Sequence, residues 1–149
     1  MIISTKYLPR DLRIIGGIAF LFAFLQLPGV GREEKLIYVA LFITYLSVGV
    51  IYFSLATGVS RKERWAWLSG LIIFILSIIS GIISFLSKWA SPFYFIVSLL
   101  IPVLLLIVFL QAKKEITIQR KISIIPFIFF IIGFAMNVIS TGYLFYLLK

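Results

Sequence analysis

The chain has 149 residues, 62% hydrophobic and 13% charged, and its 14 Lys and Arg against 5 Asp and Glu give a formal net charge of +9. Soluble domains are about 45–50% apolar and about 25% charged, and a chain this short has too little interior to hide so much Ile, Leu and Phe from water; a soluble globular domain is excluded and an integral membrane protein is expected. His and Cys are absent and Met occurs only twice, which removes the usual ligands of haem, iron–sulfur, copper and zinc, and any disulfide.

Five apolar runs follow in chain order. The first extends from Leu12 to about Val30, with a strict core of Ile14 to Leu27. It ends in QLPGVG without a small-x-small cleavage site, so it reads as a membrane segment rather than a cleaved leader. Glu33 and Glu34, between Arg32 and Lys35, are the one adjacent carboxylate pair and read as solvated loop charge. The second run covers 36–57. Tyr38, Tyr45 and Tyr52 recur every seven residues there and line one stripe, which suits helix packing or an aromatic surface for a quinone or lipid tail.

The densest charge cluster, SRKERWAWL, follows. It reads as a short cytoplasmic loop in which Arg61, Lys62 and Arg64 are candidate contacts for an anionic lipid headgroup. Trp65 and Trp67 are expected beside them at headgroup level, as the third run (65–87) enters the bilayer. On that run Gly70, Ser77, Ser80, Gly81 and Ser84 share a face, and small residues let helix backbones approach closely, so this is a candidate packing or partner face. Trp89 and Tyr94 mark the opposite interface. The fourth run covers 92–110 and the fifth 122–148. On the fifth, Pro126, Gly133, Asn137 and Ser140 share a face. Asn137 is the most polar side chain deep in any run, and an amide in hydrocarbon must find partners or cost several kcal/mol. It is expected to face protein.

Continuous apolar runs lack the alternation of a barrel, so each is expected to be a helix. With five spans, one side carries ten Lys and Arg and the other four; without the first span the count is seven against seven. The positive-inside rule therefore puts the N-terminus in the cytoplasm and the C-terminus outside. The basic residues act as topogenic charge beside a membrane, not as a nucleic-acid footprint.

No nucleophile with a neighbouring base, phosphate loop or dinucleotide fingerprint occurs, and no charged residue sits in the middle of a run. The expectation is an all-α, polytopic transmembrane bundle of one domain, residues 1–149, in the plasma membrane, with no cofactor and no catalytic centre of its own. Elimination points to a non-catalytic accessory subunit of a larger membrane assembly, energy-transducing ones included. The alternative is a stand-alone homo-oligomeric transporter, channel or lipid- or quinone-binding protein. Expected partners are membrane lipids and other membrane subunits or further copies of the chain. The single Asn, the lack of Cys and the Ile-rich runs fit a thermophilic prokaryotic source.

Overall fold

The computed structural model describes residues 7–27, 35–86, 92–112 and 122–147. Each apolar run is a helix: α1 (Leu8–Leu25), α2 (Lys35–Ser60), α3 (Arg64–Leu86), α4 (Pro92–Ala112) and α5 (Ile124–Leu147). No strand occurs among the described residues. The many Ile and Phe would favour strands in water, but in hydrocarbon a helix satisfies its own backbone and an open strand does not. Among the described residues, three helices are long and apolar enough to cross a membrane: α2 over its 26 residues, α3 over Arg64–Ile83 and α5 over Ile124–Leu144. The chain is thus an all-helical protein of the membrane type.

The first helix has a different make-up. Its 18 residues extend about 27 Å at a rise of ~1.5 Å each, but Arg10, Asp11 and Arg13 occupy its first turns. It starts at Leu8, earlier than the expected 12, because Pro9 suits the first turn of a helix and because Leu8 and Leu12 are fully buried. Burial of those two leucines holds the charged turn of α1 against the end of α2.

Helix α2 is the centre of the molecule. Helices α1 and α5 pack along it, α3 packs on it more sparingly, and α4 packs on α3. Small residues make this central position workable: Ala40, Ser47, Gly49, Ser54, Ala56 and Gly58 of α2 are all buried. Against α1 the fit is reciprocal. A Cβ on Gly16 would lie 2.7 Å from the Phe53 ring, and one on Gly49 would lie 2.8 Å from the Phe20 ring. Each helix thus carries a Gly-x-x-x-Phe step, run antiparallel, in which each glycine receives the other helix's phenylalanine. The two rings meet with centroids 5.5 Å apart.

Helix α5 also runs antiparallel to α2. Stepping back along α2 from Arg61 to Ser47 to Thr44 advances α5 from Ser123 to Asn137 to Ser140 by the same number of residues, and each pair is hydrogen-bonded. Helices α3 and α4 form a hairpin in which Gly70 lies under the ring of Phe109. Phe109 meets Phe74 with ring centroids 5.0 Å apart. Its carbonyl accepts a hydrogen bond from the Trp67 indole N–H at 2.8 Å. Helices α2 and α3 are closest beside their connection, where Gly58 abuts Ala66 and Trp65. Elsewhere the flanks are apolar and open, as at Ile125 (70% exposed) and Ile139 (72%), surfaces that fit lipid or another apolar helix.

The Gly58 contact yields a sharp expectation. A methyl group there would collide with the Cβ of Ala66, which cannot rotate away, and would lie 2.7 Å from the Trp65 ring. Gly58→Ala should therefore destabilise the protein by about 1–3 kcal/mol, the cost of overpacking a filled interior. Gly142, also helical, has nothing within 4 Å of its Cβ position. Gly142→Ala should be neutral or stabilising by up to about 1 kcal/mol. Thermal melts in mild detergent that rank the two variants the other way would contradict this packing.

Candidate functional site

The loop between α2 and α3 is built to deliver one side chain. The Lys62 amide donates to the Val59 carbonyl at 3.0 Å, and the Glu63 amide to the Gly58 carbonyl at 2.9 Å. Lys62 takes a left-handed conformation with φ 57°. These are the two crossed bonds of a Schellman cap, here with lysine at the position glycine usually fills. The turn points Glu63 inward, where only 3% of it is exposed.

The Glu63 carboxylate is fully engaged. One oxygen accepts from the Trp65 indole N–H and from the Ser123 amide, the latter at 3.2 Å. The other accepts from the Ser123 hydroxyl. That hydroxyl in turn accepts from the Arg61 guanidinium at 2.7 Å. Ser123 immediately precedes α5, so the carboxylate sits at a helix N-terminus, where unpaired N–H groups and the helix dipole favour an anion. Burial alone would push the Glu63 carboxyl up. The hydrogen bonds from Ser123 and Trp65, with the positive charge of Arg61, outweigh burial and hold it below the usual glutamate range.

The two tryptophans expected at headgroup level are engaged by the protein itself. Trp65 and Trp67 are buried. Trp65 packs against Phe127 and Phe130 of α5, with ring centroids 5.3 and 5.7 Å away. Both indole N–H groups find acceptors inside the protein, Glu63 for one and the Phe109 carbonyl for the other. Arg61, Lys62 and Arg64 remain exposed.

Deeper in the bundle, the polar residues of α5 meet α2. The Asn137 side-chain amide donates to the Ser47 hydroxyl at 3.2 Å, and the Thr44 and Ser140 hydroxyls are 2.9 Å apart. A Cβ on Gly133 would lie 3.1 Å from Val50 and 3.2 Å from the Ser47 carbonyl, so α5 approaches α2 closely there. Interhelical hydrogen bonds of this type average only about 0.6 kcal/mol each. They set which residues pair more than they add stability.

The small-residue face of α3 divides between two environments. Gly70 is filled by Phe109 of α4. Ser77, Ser80 and Gly81 instead line a cleft of about 480 Å³ between α2, α3 and α5, with Ile51, Tyr52 and Asn137 on the other walls. Ser84 lies on α3, but its side chain is outside the described residues, as are Trp89, Glu33 and Glu34 and the side chain of Tyr94. The tyrosine stripe of α2 is not one continuous surface. Tyr45 meets Phe22 of α1 with centroids 5.8 Å apart, whereas Tyr52 meets Phe74 of α3 at 6.4 Å. Among the described residues no cluster of His, Cys, Asp and Glu could hold a metal ion. The arrangement positions helices and offers hydrogen-bonding hydroxyl and amide groups; its one buried carboxylate is committed to a helix end.

Glu63→Gln tests that commitment. Glutamine cannot carry the charge, and its amide NH₂ cannot accept on one of the two sides where the carboxylate accepts from Ser123 and Trp65, so the loss should be about 1–3 kcal/mol at neutral pH. The pH dependence has a definite sign. A folded-state pKa below the unfolded value, about 4.3, stabilises at higher pH, and this contribution fades as pH falls below about 5. Wild type should lose part of its stability advantage over Glu63→Gln between about pH 5 and pH 3. Parallel stability–pH curves for the two proteins would show that the carboxylate is not held as described.

No protein-family model, no curated protein and no solved structure matches the chain.

Proposed function

We propose that this is a non-catalytic, multi-pass protein of the plasma membrane that serves as an accessory subunit of a larger membrane assembly, an energy-transducing one included. The observation that carries the reading is the open arrangement of the helices. Among the described residues, α4 packs substantially only on α3 and α1 only on α2, with α5 also on α2. This open arrangement leaves long apolar flanks on α4 and α5. Neighbouring subunits fit those flanks, and the polar groups inside are occupied in joining helices to one another.

In the same proposal all five helices cross the bilayer, with the N-terminus in the cytoplasm and the C-terminus outside. The antiparallel packing of α1 on α2 supports this, because it puts Arg10 and Arg13 at the same end as Arg61, Lys62 and Arg64. The chain has no native cysteine, so single cysteines report sidedness directly. Cysteines at Ser60 and Thr117 should label only from the cytoplasm, and at Gly31 and Ser91 only from outside. Labelling of Ser60 and Gly31 from the same side contradicts a spanning α1. Gly31, Ser91 and Thr117 lie outside the described residues.

A second reading, a stand-alone homo-oligomeric transporter, channel or lipid- or quinone-binding protein, is favoured by the cleft that holds Ser77, Ser80 and Asn137. Mild-detergent purification from native membranes separates the two. The subunit reading expects partner proteins at fixed stoichiometry. It also expects Gly81→Leu to weaken that complex, by roughly 1–3 kcal/mol if the position is closely packed, and Asn137→Leu to act mildly, near ~0.6 kcal/mol. A homo-oligomer that carries solute flux alone in proteoliposomes, and loses it in Asn137→Leu while Gly81→Leu is silent, replaces the subunit with the transporter.

A further inference from the structure

A second hollow lies on the opposite flank of α2. It is a groove of about 430 Å³ between α1, α2 and α5, walled by Phe20, Val50, Phe53, Pro126 and Phe129, with Arg61 among its lining residues. The hydrogens of its two wall hydroxyls are already used within α2. The Ser54 hydroxyl donates to the Val50 carbonyl at 2.8 Å and the Thr57 hydroxyl to the Phe53 carbonyl at 2.9 Å. The groove is therefore apolar along its length and cationic at its α2 C-terminal end. From Val50 to Arg61 the helix rises about 16 Å at ~1.5 Å per residue, close to the ~15 Å hydrocarbon depth of one leaflet.

We propose that this groove holds an acyl chain of an anionic phospholipid whose phosphate is bound by Arg61. The Arg61 guanidinium gives one N–H to Ser123, and its remaining N–H groups suit a phosphate. Lys62 and Arg64 are exposed beside it, and the one acidic residue of the loop, Glu63, is turned inward, so the rim is net positive. A zwitterionic lipid fits the apolar walls equally well but lacks the net negative charge that this rim favours. A free phosphate compound lacks the chain that fills the groove. The site is independent of whether the protein works inside a larger assembly.

The test is native mass spectrometry of the purified protein from micelles of mild detergent containing equal amounts of dioleoylphosphatidylglycerol and dioleoylphosphatidylcholine. One phosphatidylglycerol should be retained in preference to phosphatidylcholine. Arg61→Gln should reduce that preference about fivefold, the worth of one basic residue at an anionic surface. Arg61 also supports Ser123, so a second variant leaves every cation in place: Thr57→Phe puts a ring into the groove below Arg61. It should lower phosphatidylglycerol retention while the melting temperature stays near that of wild type. Arg10→Gln, on α1, should retain phosphatidylglycerol as wild type does. The proposal is overturned if wild type shows no preference, if Arg61→Gln keeps the wild-type preference, or if folded Thr57→Phe retains phosphatidylglycerol undiminished. The last result would reduce the site to a basic surface without a chain pocket.

Discussion

A carboxylate removed from water is tolerated only where donors replace the lost hydration, and Glu63 is held by such donors from its own neighbourhood and from a distant part of the chain. Trp65 belongs to the start of α3 and Ser123 to the start of α5. Satisfying this one group requires that the α2–α3 turn and the N-terminus of α5 lie side by side. The left-handed Lys62 aims the side chain, and Arg61 closes the network from outside. Once Ser123 is set beside Arg61, the antiparallel register of α5 on α2 follows, and it brings Asn137 to Ser47 and Ser140 to Thr44. The polar contacts deep in the bundle are weak individually. They agree with the register set at the α2–α3 turn, where hydrogen bonds to a charged group are the stronger kind.

The central place of α2 depends on a different constraint, the absence of side-chain bulk. In lipid, helices gain little from burying apolar surface against one another, and close backbone approach supplies the attraction. Gly16 and Gly49 admit phenylalanine rings from the facing helix, and Gly58 admits α3. The α3–α4 hairpin meets the rest mainly through α2, so a cleft remains beside Ser77 and Asn137 and a groove beside Arg61. The hollows of this molecule thus arise where three helices converge on α2 without closing on each other.

Much of this was legible in the amino-acid order because hydrocarbon allows few alternatives. Continuous apolar runs had to be helices, and their ends fall within a few residues of the apolar boundaries. The polar face of α5 pointed toward protein because Asn137 had no cheap alternative. In the SRKERWAWL stretch, nothing local to Trp65 or Trp67 reveals the acceptors that hold their indoles. Those acceptors, Glu63 and the Phe109 carbonyl, are supplied by the fold. Glu63 stands among basic neighbours in the sequence. Ser123, near the start of the fifth apolar run, is a typical N-cap residue, but nothing in the order of residues pairs it with a carboxylate 60 positions earlier. The Gly-x-x-x-Phe reciprocity of α1 and α2 was equally hidden, because each half acquires meaning only once the antiparallel register is known.

That register is the claim on which the clasp, the cleft and the groove all depend, and the cysteine-free chain makes it directly measurable. The Thr44 and Ser140 hydroxyls lie 2.9 Å apart, so cysteines at these two positions are close enough for a disulfide. Mild oxidation of the double-cysteine protein in membranes should give a rapid intramolecular cross-link. A pair shifted by about one helical turn, Thr44 with Leu144, should react far more slowly. Rapid cross-linking of the shifted pair with none between positions 44 and 140 would contradict the α2–α5 register and the arrangement built on it.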